Sequence, residues 1–233
     1  MKNTNQVSWI FLILSVVTVI CYFLTCLCEL KVLDIAGISI TGGFFIIPIS
    51  YIINDCIVEV YGYERARALL WLTVIVNLII ASILQIISIM PADPHWNGQE
   101  HFSFIFDQSL KTSIGALFAY TCATTANAAV LSKLKNSCTH LGFKFRAMAS
   151  TVVGETVDAL VFYPILFYGI LSWNEIFYLI FCTALGKCCY EAAVLPITSK
   201  LVDYMKRVDG VDMYDKNVSY NPFAFKKVLS DVL

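Results

Sequence analysis

The chain has 233 residues, 58% of them hydrophobic and only 14% charged, with a formal net charge of −1 and a mean hydropathy of +0.73. A soluble domain carries about one-quarter charged residues and has nowhere to hide so much apolar surface. The composition therefore excludes a soluble enzyme and a disordered chain, and the charge balance excludes a nucleic-acid binder, which would be strongly basic.

What remains is a polytopic membrane protein. A spanning helix needs about 20 mainly apolar residues. Charge-free runs of that kind fall at 7–28, 35–54, 68–90 and 112–132. Two further spans contain charges: 147–172 holds Glu155 and Asp158, and 176–199 holds Lys187 and Glu191. The expectation is an all-α fold of six transmembrane helices forming one domain, residues 1–199, with a polar cytoplasmic tail at 200–233.

Lysine and arginine placement orients the spans. With both termini inside, the inner segments hold Lys2, Arg65, Arg67, Lys133, Lys135, Lys144, Arg146, Lys200, Lys206, Arg207, Lys216, Lys226 and Lys227, whereas the outer ones hold only Lys31 and Lys111. An odd number of spans would scatter this asymmetry. The outer loop 91–111 carries Asp93, Glu100, Asp107, His95 and His101. It reads as solvated, with a short amphipathic stretch. Two histidines six apart are a poor metal signature, and no metal or cofactor is expected. The nine cysteines are odd in number, and Cys21, Cys26, Cys122 and Cys182 sit in apolar runs, where thiols act as small hydrophobes.

Function is best sought at the intramembrane charges. Each costs about 2.5–3.5 kcal/mol at a helix centre and usually faces a cavity or a partner. Asp158 lies about 11 residues into the fifth span, roughly 16 Å deep; Lys187 lies about 12 residues into the antiparallel sixth, roughly 18 Å deep. Equal depth on consecutive helices predicts a salt bridge or a shared ligand. Glu155 shares a face with Asp158, and Glu191 lies one turn from Lys187. Asp55 and Glu59 are four apart near the inner end of the second span. Asn54, Asn77 and Asn127 add uncharged polar groups, and Gly115, Ala119 and Ala123 lead to Asn127 as a stripe of small residues that admits a close neighbour. Ser150 and Gly154 lead to Asp158 in the same way. Pro48, Pro164 and Pro196 are candidate helix breaks that would free backbone groups to line a cavity. Two plainer alternatives stand beside a central binding cavity: Asp158–Lys187 as a purely structural pair, and Glu59 paired with Arg65 or Arg67.

Catalytic signatures do not occur. There is no H-E-x-x-H, G-x-S-x-G or G-x-G-D, and no phosphate-binding glycine loop; His95, His101 and His140 all lie outside the spans. The expected protein is not an enzyme. Transport would use a gradient, exchange, facilitated diffusion or a separate partner.

Several blocks carry a resemblance. Asn54-Asp55-Cys56-Ile57-Val58-Glu59-Val60-Tyr61-Gly62, followed by Arg65 and Arg67, resembles the D-x-x-x-E-x-[YF]-G signature of the queuosine precursor transporter family, also called the vitamin uptake transporter family. Gly43 to Pro48 is similar to its G-x-F-x-x-P block, and Ser150, Gly154, Asp158 and Phe162 to its S-x-x-x-G-x-x-x-D-x-x-x-F block. Lys187 and Pro196 fit its sixth-span block. Val211-Asp212-Met213-Tyr214-Asp215, Asn217 and Asn221-Pro222-Phe223 fit its V-D-V-Y-D…N-x-N-P-F ending.

The resemblance implies a bacterial inner-membrane importer of a 7-deazaguanine (preQ0, preQ1 or queuine) for tRNA queuosine. Its architecture would be like the substrate-binding subunits of energy-coupling-factor transporters, without their ATPase partners. In such a site Glu155 or Asp158 would accept the N1–H and exocyclic amine of the base, as acids do for amine-bearing base edges. Lys187 would hold the carbonyl oxygen, or neutralise the acid in the empty site. Glu191 or Asp55 would meet a cationic aminomethyl group. Phe162, Tyr163 or Tyr190 would sandwich the ring. The partners implied are the 7-deazapurine and the lipid bilayer, with no nucleic acid; a homodimer suits a transporter this small. Two other readings stay open: a substrate-binding subunit for another heterocyclic vitamin served by a separate energising module, and a membrane enzyme or assembly factor using the acidic cluster.

Overall fold

A computed structural model describes residues 8–28, 31–35, 38–106, 110–138, 140–169, 172–215 and 218–223. Lys2, Asp107, Lys216, Asn217, Lys226 and Lys227 of the sequence reading lie outside the described residues.

The architecture is a helical bundle with one short hairpin. α1 (Trp9–Cys28) turns Leu12, Ile13, Val16, Ile20 and Leu24 outward. Its buried hydroxyls return to the carbonyl one turn back: Ser15 to Phe11 at 2.8 Å, Thr18 to Leu14 at 2.9 Å and Thr25 to Cys21 at 2.8 Å. Each polar group is satisfied within the helix, as an apolar surround requires.

The run 35–54 is not one helix, contrary to the sequence expectation. β1 (Val32–Ile35) and β2 (Ile38–Thr41) pair antiparallel, with Leu33 opposite Ile40, and a 3-10 turn follows at Gly42–Phe45. α2 (Ile47–Tyr61) begins only after this turn, with Pro48 in its first turn. Hydropathy treats this stretch as uniform, but β-branched residues dominate its start and Gly42 and Gly43 weaken a helix there. Proline then suits the first helical turn, where no N–H is needed.

α2 is the central helix: every one of its residues except Ile49 is buried. It contacts α1, α3, α5, α6 and α7. It ends at Gly62, whose φ of +88° lies in the region that glycine tolerates, and α3 (Tyr63–Ile89) starts at the next residue. The outer loop contains the short α4 (Gln99–Phe106). α5 (Leu110–Ser137) and α6 (Phe143–Phe167) are closely apposed. The small-residue stripe explains this: Ala119, Ala123 and Asn127 are wholly buried, and a Cβ built on Gly154 would stand 2.9 Å from the Asn127 Cβ.

α7 (Trp173–Asp209) opens with a capping box between Ser172 and Glu175 and runs beyond residue 199 to a left-handed Gly210. Pro164 and Pro196 do not break their helices, which correcting observation removes two of the three expected breaks. A proline forfeits one backbone bond, and tightly packed flanking turns carry the helix through it.

Among the described residues five segments are long and apolar enough to cross a membrane: Trp9–Cys28, Gly42–Tyr61, Tyr63–Ile89, Ile114–Ser137 and Trp173–Asp209. α6 is long enough but carries Lys144, Arg146, Glu155 and Asp158 and is not among them. No disulfide joins the cysteines among the described residues.

Residues 211–215 and 218–223 lie as a strap across the α2–α3 junction. The Met213 amide donates to the Val60 carbonyl at 3.1 Å. The Asp215 carboxylate accepts from the Tyr63 amide at 3.1 and 2.9 Å and from the Ser132 hydroxyl, so it caps the N-terminus of α3 from 152 residues away. Arg67 donates to the Ser219 and Asn221 carbonyls at 2.9 and 3.1 Å, and the Trp71 indole to the Pro222 carbonyl at 2.7 Å.

Candidate functional site

Charged side chains from α2, α6 and α7 and an asparagine from α5 meet inside the bundle. The Lys187 ammonium lies 2.7 Å from Asp158 and 3.0 Å from Glu155. The lysine is 8% exposed and Glu155 only 1%. Asp158 is the most open of the three, with 16% of its side chain accessible. One ammonium thus serves two carboxylates from adjacent turns of α6, which repays part of the cost of removing all three groups from water.

One turn along α7, Glu191 accepts a hydrogen bond from the Thr151 hydroxyl of α6. Its carboxyl and that of Asp55 on α2 influence one another electrostatically. Asp55 in turn accepts from the Asn127 amide of α5 at 2.6 Å. Asp55, Asn127 and Glu191 are each at most 2% exposed. The expected residues Asp158, Glu155, Lys187, Asp55, Glu191 and Asn127 are therefore joined in two adjoining groups.

Asn77 and Phe162 stand apart from these contacts. The Asn77 amide donates to the Thr73 carbonyl at 2.9 Å, back along its own helix. It also lines a cavity of about 70 Å³ with Tyr22, Cys26, Gln85 and Leu117. Phe162 packs against Tyr163 edge-on, with ring centroids 5.7 Å apart. The Tyr163 hydroxyl donates to Thr183 at 2.8 Å.

Glu59 belongs to a separate group beside the strap. It is 1% exposed and receives Arg146 and Lys206, each at 2.7 Å, with Lys135 at 3.8 Å. Arg67 is committed to the strap carbonyls, which corrects the alternative pairing of Glu59 with that residue. Asp212 joins the group at 2.6 Å from Lys135 and 3.0 Å from Lys206. Partial burial pushes the Asp212 carboxyl up, but hydrogen bonds from Lys135 and Lys206 outweigh it and hold the group below its ordinary range.

Residues 41–201 match the family described as "Putative vitamin uptake transporter". The chain belongs to this family. No curated protein and no solved structure matches it. The matched stretch contains every residue of the Lys187 and Asp55 groups and ends before the strap. With five bilayer-length apolar segments, the chain is a multi-pass membrane transporter.

Sequence reasoning missed one feature of this transporter. Tyr22, Tyr51 and Tyr120, from α1, α2 and α5, meet beside the charged cluster. The available signal was faint: a tyrosine buried in each of three apolar helices, with nothing in the sequence to say that they share a depth. The aromatic residues near Lys187 are easier to find because they lie within a few turns of it.

Proposed function

We propose that this transporter imports a queuosine precursor, a 7-deazaguanine such as preQ0, preQ1 or queuine, across the bacterial inner membrane for tRNA modification. The observation that carries the reading is the buried Lys187 ammonium held between Glu155 and Asp158. In a deazaguanine the N1–H and exocyclic amine are adjacent donors, and a carboxylate accepts both. The neighbouring carbonyl oxygen suits an ammonium. The bound base would thus replace part of the Lys187–carboxylate contact rather than leave a charge bare. Asp55 and Glu191 would receive a cationic 7-substituent, with Asn127 holding Asp55 in place. Asn77 and Phe162 would shape the outer side of the site.

The topology that goes with this reading has α6 as a sixth span and both termini in the cytoplasm, in an arrangement like the substrate-binding subunits of energy-coupling-factor transporters. α6 is 25 residues long, about 37 Å at 1.5 Å per residue, enough to cross the hydrocarbon core.

The family's description favours a second reading, in which the cargo is another small heterocyclic vitamin and a separate module supplies the energy. Co-purification of an ATPase complex would select it.

The test is queuosine in tRNA. A bacterium that neither makes the precursors nor has its own transporter, but carries the enzymes to use them, expresses this chain. It is fed preQ0, preQ1 or queuine at low concentration. Restored queuosine with one compound is the expected result and names the cargo. No restoration with any of them, with the protein present in the membrane, overturns the deazaguanine reading.

A further inference from the structure

Tyr22, Tyr51 and Tyr120 are 3%, 2% and 4% exposed. The rings of Tyr22 and Tyr120 have centroids 4.3 Å apart, and Tyr51 meets Tyr120 edge-on at 6.3 Å. Val157, the residue before Asp158, packs against the same cluster, and Tyr51 lies one turn before Asp55 on α2. The Tyr51 hydroxyl has no hydrogen-bond partner among the described residues, and Asp158 and Glu155 are the carboxylates whose charge acts on it. Ser50, the residue before it, also buries an unpartnered hydroxyl.

A wholly buried hydroxyl without a partner is rare in folded proteins and asks what it bonds to in the working state. Of the three tyrosines, Tyr51 is the one with an unpartnered buried hydroxyl, and it lies on the helix that carries Asp55 into the charged cluster. Behind the cluster, Tyr22 also lines the cavity of about 70 Å³ between α1, α3, α4 and α5, which gives the tyrosines an approach from the α4 side.

We propose that Tyr51 is a direct cargo ligand. Its hydroxyl donates a hydrogen bond to an acceptor atom on a flat heteroaromatic ring, while the ring's donor edge meets Glu155 and Asp158 and its face lies against the tyrosine cluster. This rests on the deazaguanine reading and deepens it: the site recognises a planar ring by stacking and by a neutral hydroxyl as well as by charge. A site that hydrogen-bonds its cargo also discriminates against analogues lacking the matching atom, because the protein group is then left unpaired.

The experiment uses the full chain in detergent, with preQ1 and preQ0 as probes. Kd is measured by calorimetry, and the melting temperature is taken with and without probe. The variants are Tyr51→Phe and, as a lipid-facing control, Tyr178→Phe. Tyr51→Phe keeps the probe-free melting temperature of the parent or raises it, because the lost hydroxyl had no protein partner. Its Kd rises about tenfold, the size of one hydrogen bond, and the probe-induced rise in melting temperature shrinks. Tyr178→Phe changes neither. A Tyr51→Phe protein with parental Kd overturns the proposal while leaving the deazaguanine reading intact. A Tyr51→Phe protein that melts well below the parent without probe shows a structural hydroxyl and overturns it too. A parent that binds neither probe overturns the deazaguanine reading, and the Tyr51 assignment with it.

Discussion

Lys187 and Asp158, 29 residues apart on antiparallel helices, meet at 2.7 Å, with Glu155 3.0 Å away on the other side of the same ammonium. The two carboxylates are not interchangeable. Asp158 is the more open, and Glu155 alone can still neutralise the lysine. Asp158→Asn is therefore expected to reach the membrane at parental abundance but to lose at least about tenfold in uptake, one charge-assisted hydrogen bond's worth. Lys187→Met leaves two buried carboxylates bare, at about 3–5 kcal/mol, and is expected to lower abundance as well as uptake. Quantifying both by immunoblot and uptake assay checks this. Parental uptake by Asp158→Asn would remove the aspartate from the site.

Among the described residues Glu59 is the carboxylate that pairs with Arg146, and Lys206 and Lys135 share it. Glu59→Gln strands the buried Arg146 and leaves Lys135 and Lys206 with Asp212 alone. A loss of about 3–5 kcal/mol follows from breaking a buried pair on one side. The measurement is the melting temperature in detergent, where a drop of less than a degree or two would show that the cluster contributes nothing.

Gly154 allows α5 and α6 to touch. A methyl there would stand 2.9 Å from the Asn127 Cβ. Gly154→Ala should cost about 1–3 kcal/mol by overpacking. Because Asn127 holds Asp55, it should also disturb the Asp55–Glu191 group. Gly142→Ala, with open space around it, serves as the control and should be neutral. Equal thermal stability of the two variants would contradict the close packing.

Gly62 has both constraints together, a φ of +88° and the Asp215 Oδ1 atom 2.7 Å from where a Cβ would sit. Gly62→Ala is expected to be more damaging than Gly154→Ala, since it strains the backbone and also displaces the cap on α3. Asp215→Ala removes the same cap without backbone strain and should cost about 1–2 kcal/mol. Limited proteolysis of the strap in these variants reads its release; an equally protected strap in Asp215→Ala would show that the cap does not hold it.

Asp212 sets the sign of one pH effect. Its carboxyl is held below the ordinary range by Lys135 and Lys206. Its contribution to stability is therefore fully present above the unfolded value of about 3.9, and is lost as pH falls through the lower folded value. Asp212→Asn should flatten the acid side of a melting-temperature profile and lower the plateau near neutrality slightly, since the side chain is partly exposed. An unchanged acid limb would show that the strap's ion pairs do not couple to folding.

The positions of the long helices were legible because lipid immersion leaves a local mark, about 20 apolar residues in a row. The Lys187–Asp158 contact was legible because helical rise is constant, so counting residues gives depth on consecutive helices. The same logic failed at 35–54: hydropathy does not distinguish an apolar strand from an apolar helix, and glycines 42 and 43 had to be weighed against it. It also failed at the helix ends, where α7 runs on to Asp209 and Pro164 and Pro196 are accommodated.

By itself the sequence determined that this is a membrane protein of long apolar helices, that its buried charges lie at 55, 155, 158, 187 and 191, and which family it resembles. Only the tertiary structure decided that Glu59 faces Arg146 and Lys206, that Asp215 caps α3, and that Tyr22, Tyr51 and Tyr120 pack in one cluster. Hydropathy and periodicity are properties of one segment at a time. These contacts join residues 69 to 152 positions apart, and they depend on the rotation of each helix about its axis, which side-chain packing fixes and composition does not.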